Sequence, residues 1–242
     1  MNLIVDIGNT VSKFFVFDGD ELRYHSQEVG HLLSFPAALL DAKAFPIKAA
    51  IVSSVVDLPA EAEAHLRALP YPVLRFTSST PIPIGNHYRT PLTLGTDRIA
   101  AAVGAWSTQP GHPLLIIDAG SCITFDFVSA EGDYLGGNIA PGLHARLNAI
   151  NDYFPRLPLV EAEGDTPELG YDTMTAIRSG IIQGMSHEIQ GYIDHFREKY
   201  ASLLVFLTGG DANHFVNTIK SPIFADPLLV PRGLNRILEH HY

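Results

Sequence analysis

An aspartate-glycine signature occurs twice in the chain, about half a chain apart, and limits the possible folds more than any other feature. The run Leu3-Ile4-Val5 leads into Asp6-Ile7-Gly8-Asn9-Thr10. An apolar run from Val11 to Phe17, interrupted by Ser12 and Lys13, follows and ends at Asp18-Gly19-Asp20. Downstream, Leu114-Leu115-Ile116-Ile117 leads into Asp118-Ala119-Gly120-Ser121, and the run Cys122 to Val128 ends at Glu131-Gly132-Asp133. Each copy reads as strand, tight polar turn, strand, turn. A carboxylate closes the first strand, and the glycine that follows lets the backbone bend. Two such hairpins facing each other make a clamp for nucleotide phosphates. Backbone N–H groups and small polar side chains hold phosphate oxygens there, and the carboxylates hold cations. One copy alone favours an ordinary hairpin with an acidic turn; two copies with matching flanks favour a duplicated functional unit.

A chain of 242 residues, 46% hydrophobic and 17% charged, is long and apolar enough to bury a real core. The single cysteine, Cys122, excludes an intramolecular disulfide and a thiolate metal cluster. Its place in an apolar run predicts a small buried residue. Met1-Asn2 runs straight into the first strand without a signal-peptide pattern, and no apolar stretch is long enough to span a bilayer. The expectation is a cytoplasmic protein with no membrane partner. A net charge of −10 disfavours nucleic acid, which needs basic stripes. A phosphorylated cofactor stays compatible, since glycine loops and cations hold it locally.

Strands are predicted at 2–6, 11–17, 21–28, 47–53 and 73–76, with helices at about 34–44, 59–69 and 96–106. Thr96 is placed as the N-cap of the last. The proline-rich stretch 80–91 is a loop. The second part repeats the order, with strands at 114–118, 122–128 and 133–136 and the glycine-rich run 136–142 before a helix from about Leu143. Helices at 173–185 and 187–200, a strand at 203–207 and a terminal helix at 234–240 complete it. The pattern fits two α/β halves, 1–112 and 113–242, each a mixed sheet flanked by helices, around a central cleft.

Four segments carry candidate chemistry. In Asp6 to Lys13, ATP phosphates would lie against the Gly8 backbone with Asn9 and Thr10 as donors; Lys13 either supplies a charge or points to solvent. No G-x-x-x-x-G-K-[ST] loop occurs. In Gly95-Thr96-Asp97-Arg98, Asp97 lies in the first turn of a helix, where the dipole favours an ionised carboxylate, a suitable base for a substrate hydroxyl. Arg98 can clamp a carboxylate with two hydrogen bonds. An acid in a first helical turn is ordinary helix-start chemistry, and the segment taken alone favours that reading. Asp118 and Ser121 form the third segment, as cation ligand and ATP contact. The turn Thr208-Gly209-Gly210 is the fourth, where adenine or ribose can approach the backbone. The eleven histidines are scattered and none has a zinc-like setting.

The paired hairpins with a late Gly-Gly turn resemble the actin-like ATPase superfamily, which includes the sugar kinases. The combination Asp6-Ile7-Gly8-Asn9-Thr10 with Lys13, Gly95-Thr96-Asp97-Arg98, Asp118-Ala119-Gly120-Ser121, Asn138 to Gly142 and Thr208-Gly209-Gly210 resembles type III pantothenate kinase. The likeness runs through nearly the whole chain, and Gly-x-Asp-Arg is its discriminating element. It implies duplicated ribonuclease H-like (actin-like ATPase) halves and ATP-dependent phosphorylation of pantothenate to 4′-phosphopantothenate. It further implies that Asp6, Ile7, Gly8, Asn9, Thr10, Val11, Ser12, Lys13 and Ser121 bind ATP and that Asp97 is the catalytic base. Tyr88, Gly95, Thr96, Asp97, Arg98 and Thr173 would hold pantothenate. Asp118 would ligate a monovalent cation, K+ or NH4+, beside the Mg2+ that arrives with ATP, and the enzyme would be a homodimer. Two departures stand out: Ser121 where threonine is commoner, and Asp172 where asparagine is common. Other readings of the same motifs are another small-molecule kinase of the superfamily or a transcriptional accessory factor.

Overall fold

The computed structural model describes residues 1–8, 11–30, 39 and 44–242. In chain order the elements begin with β1 (Asn2–Ile7), β2 (Val11–Asp18), β3 (Glu21–Val29), β4 (Ala49–Ser54), α1 (Ala60–Arg67), β5 (Val73–Arg75), β6 (Gly85–Asn86) and α2 (Thr96–Thr108). There follow β7 (Leu114–Ala119), β8 (Cys122–Val128), β9 (Asp133–Pro141), α3 (Leu143–Tyr153), α4 (Thr173–Lys199), β10 (Leu204–Thr208), β11 (Phe224–Ala225) and α5 (Leu229–His241). The chain divides into two units, Met1–Thr108 with Leu229–Tyr242, and Gln109–Leu228.

Each unit is built on the same sheet. In the first the strand order is β3-β2-β1-β4-β5; within the second, β9, β8, β7, β10 and β11 follow in the same sequence. The first three strands are antiparallel neighbours, and the next two are parallel to the central one, in both units. The duplication reaches into irregular detail. The β2–β3 ladder slips between Val16 and Phe17, and the β8–β9 ladder between Phe127 and Val128. Measured from Val11 and Cys122, the first residues of the second strands, these bulges fall at the same step.

The apolar runs are buried because the central strands are covered. In the first unit Leu3, Val5, Ile7, Phe14, Val16, Ala50 and Val52 share a core with Ala62 and Leu66 of α1. In the second, Leu115, Ile117, Ile123, Phe125, Phe127, Val205 and Leu207 pack against Ile182, Met185, Ile189 and Ile193, which recur at helical spacing along one face of α4.

Several elements differ from the sequence expectation. The segment expected to be helical at about 34–44 lies, apart from residues 39 and 44, outside the described residues. The two helices expected at 173–185 and 187–200 are one, α4, because neither proline nor a cap interrupts them. Ser186 stays inside by returning its hydroxyl to the Ile182 carbonyl at 2.9 Å. The glycine-rich run 136–140 is strand, paired along β8, so β9 reaches Pro141. Cys122 is exposed, since it opens β8 beside the turn instead of lying in its middle.

The last helix packs in the first unit, whereas the sequence assigned it to the second half. Helix α2 is lined with buried Ala100, Ala101, Ala102, Gly104 and Ala105, and its backbone meets α5 closely. A Cβ on Gly104 would land on the Leu229 carbonyl oxygen, and one on Gly233 on the Ala100 carbonyl oxygen. Asn235, also on α5, is buried and receives a hydrogen bond from the Asn2 amide at 2.9 Å. These contacts join the body of α2 to α5, and α5 to β1. Gly233→Ala is therefore expected to push the helices apart and to destabilise by about 1–3 kcal/mol, as overpacking does. Thermal melting should register roughly 2–4 °C per kcal/mol in a chain this size. An unchanged melting temperature would show that the helices do not depend on this close approach.

Candidate active site

The first hairpin fixes Asp6 by its register. The Gly8 N–H donates to the Val11 carbonyl at 3.0 Å, closing the turn, and Asp6 then faces Lys13 directly across the β1–β2 ladder. Asn9 and Thr10 lie outside the described residues. Ile7 and Ser12 are buried, and the Ser12 hydroxyl donates to the Gly30 carbonyl at 2.8 Å. What these two residues can offer a phosphate is backbone, since their side chains are committed to the fold. Lys13 is exposed and Val11 half-buried. Burial pushes the Asp6 carboxyl from an ordinary 3.8 up to about 6; the Lys13 ammonium opposes the rise and the Asp97 carboxylate adds to it.

The start of α2 is tied to the same sheet. Ser53 stands beside Asp6 in the parallel β1–β4 ladder, and its hydroxyl meets that of Thr96 at 3.3 Å. Thr96 is thus a helical residue anchored to the strand and not the N-cap the sequence suggested. The Gly95 carbonyl accepts the N–H of Ile99 at 3.2 Å, so Gly95 occupies the cap position. Asp97 is exposed, and its Oδ1 accepts the Arg98 N–H at 2.8 Å. A Cβ at residue 95 would stand 2.5 Å from that oxygen, so the glycine leaves room for this carboxylate orientation. Arg98 is buried, with its guanidinium carbon 5.8 Å from the centroid of the half-buried Tyr88 ring, a cation–π contact.

In the second unit the Gly120 N–H donates to the Cys122 carbonyl at 3.0 Å, the same closure with one residue fewer in the turn. Asp118 lies opposite Thr124 in β8 and beside Thr208 in β10. Its ladder neighbours are therefore hydroxyls, where Asp6 has an ammonium opposite it. Ser121 is exposed on the turn. Thr173 is the exposed first residue of α4, whose N-terminus is closed by a capping box between Asp172 and Thr175. The Thr175 backbone N–H and hydroxyl hold the Asp172 carboxyl below its usual range. Aspartate and asparagine cap equally well, so the departure at this position leaves the helix start intact.

Two features escaped the sequence reading. Ser53 is one; its signal is its place at the C-terminal end of a parallel strand, where α/β folds present ligand-binding residues. The other is the buried Asp126, which accepts hydrogen bonds from the Thr124 hydroxyl at 3.0 Å and the Tyr134 hydroxyl at 2.6 Å. It commits the Thr124 proton and turns that oxygen's lone pairs away from Asp126. Only the register reveals it.

The raised proton affinity of Asp6 has a consequence for stability. An acid whose folded value lies above its unfolded one is most favourable below the unfolded value, and that stability is lost as pH rises through the folded value. Asp6→Asn should therefore stabilise the protein at about pH 8 by up to about 3 kcal/mol, since each tenfold change in proton affinity is worth about 1.4 kcal/mol. The gain should vanish near pH 4. Thermal melts of both proteins at the two pH values check it; a variant no more stable than the parent at the higher pH would rule out the burial penalty.

The Type III pantothenate kinase family model matches residues 2–195. A type III pantothenate kinase from Phocaeicola vulgatus is 46% identical over 241 residues, covering 100% of this chain and 99% of that protein. Among solved structures, a protein described as a conserved Baf family transcriptional activator from Campylobacter jejuni superposes with a TM-score of 0.63 at 23% identity, over 99% of this chain and 98% of that one. The ROK hexokinase from Thermus thermophilus gives 0.57 at 13% identity, over 98% and 99%. The structural likenesses establish the actin-like ATPase and sugar-kinase fold, and the sequence matches establish the family. The chain belongs to the type III pantothenate kinase family.

Proposed function

We propose that this protein transfers the γ-phosphoryl group of ATP to the primary hydroxyl of pantothenate, giving 4′-phosphopantothenate, the first step of coenzyme A biosynthesis. One electrostatic observation supports the site assignment above all. Within a single unit, the hairpin acid Asp6 and the helix-start acid Asp97 lie close enough for one charge to shift the other's proton affinity. The phosphate-side hairpin and the Gly-x-Asp-Arg segment are neighbours in the fold as well, through Ser53, which stands beside Asp6 and meets the Thr96 hydroxyl.

Phosphoryl transfer asks the protein for positioning and charge neutralisation. In this reading the backbone of Ile7, Gly8, Val11 and Ser12 and the exposed Lys13 hold the phosphates, together with Asn9 and Thr10 of the same motif. Asp97, exposed and oriented by the Arg98 N–H, accepts the hydroxyl proton as the oxygen attacks. Arg98 and Tyr88 hold the pantothenate carboxylate, with Gly95, Thr96 and Thr173 as further contacts, and Ser121 touches ATP. Asp6 fits a magnesium ion entering with ATP, because its ionised form is disfavoured by burial and by Asp97, and a cation relieves both. Magnesium supplies neutralisation of phosphate charge and keeps most of its waters. Asp118, between two threonines, offers oxygen donors that suit potassium or ammonium. The working form is a homodimer in the cytoplasm, independent of nucleic acid and membrane. Among the described residues no helix is long and apolar enough to cross a bilayer. Light scattering tests the dimer: a particle of 26.4 kDa would exclude it.

Asp97→Asn should lower turnover about 10²–10⁴-fold, the usual worth of a positioned base, while melting as the parent does. A folded variant that keeps more than about a tenth of the parent's turnover would remove Asp97 from this role. In the same assay Arg98→Lys should raise the KM for pantothenate about tenfold or more and that for ATP little, since an ammonium cannot form two parallel hydrogen bonds. A lower melting temperature with both KM values unchanged would make Arg98 structural.

Asp118→Ala should abolish stimulation by potassium or ammonium. Equal activation of variant and parent by these ions would exclude Asp118 as the ligand.

A further inference from the structure

The hairpin acid of each unit has a hydroxyl residue beside it in the parallel ladder. Asp6 of β1 stands next to Ser53 of β4, and Asp118 of β7 next to Thr208 of β10. Both hydroxyl residues are buried, Ser53 at 1% exposure and Thr208 at 2%. Registered neighbours in a ladder share a face of the sheet, so each acid and its hydroxyl residue lie on the same side. The duplication thus keeps this pairing, although it changes the residue opposite the acid from Lys13 to Thr124. In the first unit the hydroxyl also leaves the sheet. Ser53 Oγ meets Thr96 Oγ1 at 3.3 Å, across 43 residues of chain.

We infer that Ser53 is a positioning residue for phosphoryl transfer: through the Thr96 hydroxyl it holds Asp97 at a fixed place relative to Asp6. The inference deepens the reading of Asp97 as the base and rests on it. Three observations carry it. Ser53 sits on a strand end that is itself tied down. Beyond the last ladder pair the Val55 N–H donates to the Ile7 carbonyl at 3.0 Å, and the Ser54 hydroxyl donates to the Val56 carbonyl at 2.6 Å. The helix start, by contrast, has no side chain at its cap, because Gly95 occupies that position. Thr96 supplies a fastening from the next residue, and Asp97 follows it directly. Asp97 is exposed and its Oδ1 accepts the N–H of its own neighbour, Arg98, so the carboxylate goes where the first turn goes. Among the described residues the Ser53 hydroxyl has Thr96 as its single partner, so the group has no second structural duty. A base displaced by a fraction of an ångström loses rate without losing substrate affinity.

The test is a double-variant cycle on kcat. Ser53→Ala should lower kcat about fivefold, the worth of one hydrogen bond between uncharged groups, with the KM values for ATP and pantothenate little changed. Thr96→Val, which keeps the shape and removes the hydroxyl, should lower kcat about as much, and Thr96→Ser, which keeps the hydroxyl, should stay close to the parent. Because the two hydroxyls act as one contact, the double variant should lose about fivefold and not about 25-fold. Losses that multiply would overturn the inference. So would a Ser53→Ala protein that melts lower yet keeps the parent's kcat, which is the mark of a purely structural serine, or one whose loss falls on the KM for pantothenate. A second measurement needs no turnover. The Ile99 N–H closes the first turn of α2 onto the Gly95 carbonyl at 3.2 Å. Without substrates its hydrogen exchange should quicken about fivefold in Ser53→Ala, and an unchanged rate would show that Ser53 does not hold this turn. The two readings fail separately. A parent without turnover on pantothenate sinks the kinase reading while the exchange comparison still decides the anchor, and a folded Asp97→Asn protein that keeps its turnover removes the base while the cycle still reports on Ser53.

Discussion

A single backbone hydrogen bond, from a turn glycine to the first carbonyl of the returning strand, sets the geometry on which the site depends. It is made by Gly8 to Val11 and again by Gly120 to Cys122, at 3.0 Å in each case. Because strand side chains alternate with a period of two, the closure fixes which residue faces the strand-end acid. In the first hairpin that residue is Lys13, and in the second it is Thr124. One scaffold thus gives its two acids different neighbours. An acid opposed by an ammonium suits a phosphate-rich setting, and an acid flanked by hydroxyls suits a weakly held cation.

The first hairpin leaves its acid electrostatically unsatisfied. Burial lifts the proton affinity of Asp6, and Asp97 adds to the effect, while a single exposed lysine offsets part of it. The fold carries this cost because the core of β1 demands it. Leu3, Val5 and Ile7 must be buried, and Asp6 lies between the last two in the same strand. Perturbed acids of this kind gather where ligands supply the missing charge. The second hairpin handles its interior acid differently, since Asp126 is met by two hydroxyl donors inside the fold.

Glycine packing connects these local arrangements to the larger structure. Gly104 and Gly233 bring α2 and α5 into backbone contact, which steadies the helix bearing Asp97 and Arg98. Gly142 and Gly209 do the same for the loops around Asp118. Such approaches tolerate no side chain, so Gly104 and Gly233 act on Asp97 and Arg98 from outside the candidate segments.

The sequence by itself determined the two hairpins, the apolar strands, the turn at Gly209 and the helix that opens with Gly95-Thr96-Asp97-Arg98. Each of these is written in local periodicity and turn chemistry, which need no distant partner. It also carried the family, because the motif order is linear information. Tertiary structure alone decided that Thr96 bonds Ser53, for that contact passes through a parallel ladder joining strands far apart in the chain. It decided that α5 joins the first unit, because close approach at Gly104 and Gly233 depends on which helix faces meet. It merged two expected helices into α4, whose apolar stripe runs unbroken across Ser186 once a single sheet lies beneath it. It exposed Cys122, since a residue's burial depends on what covers its strand end, not on its apolar neighbours in sequence. What remained illegible in the sequence is non-local pairing, where the free energy comes from surfaces that only the completed fold brings together.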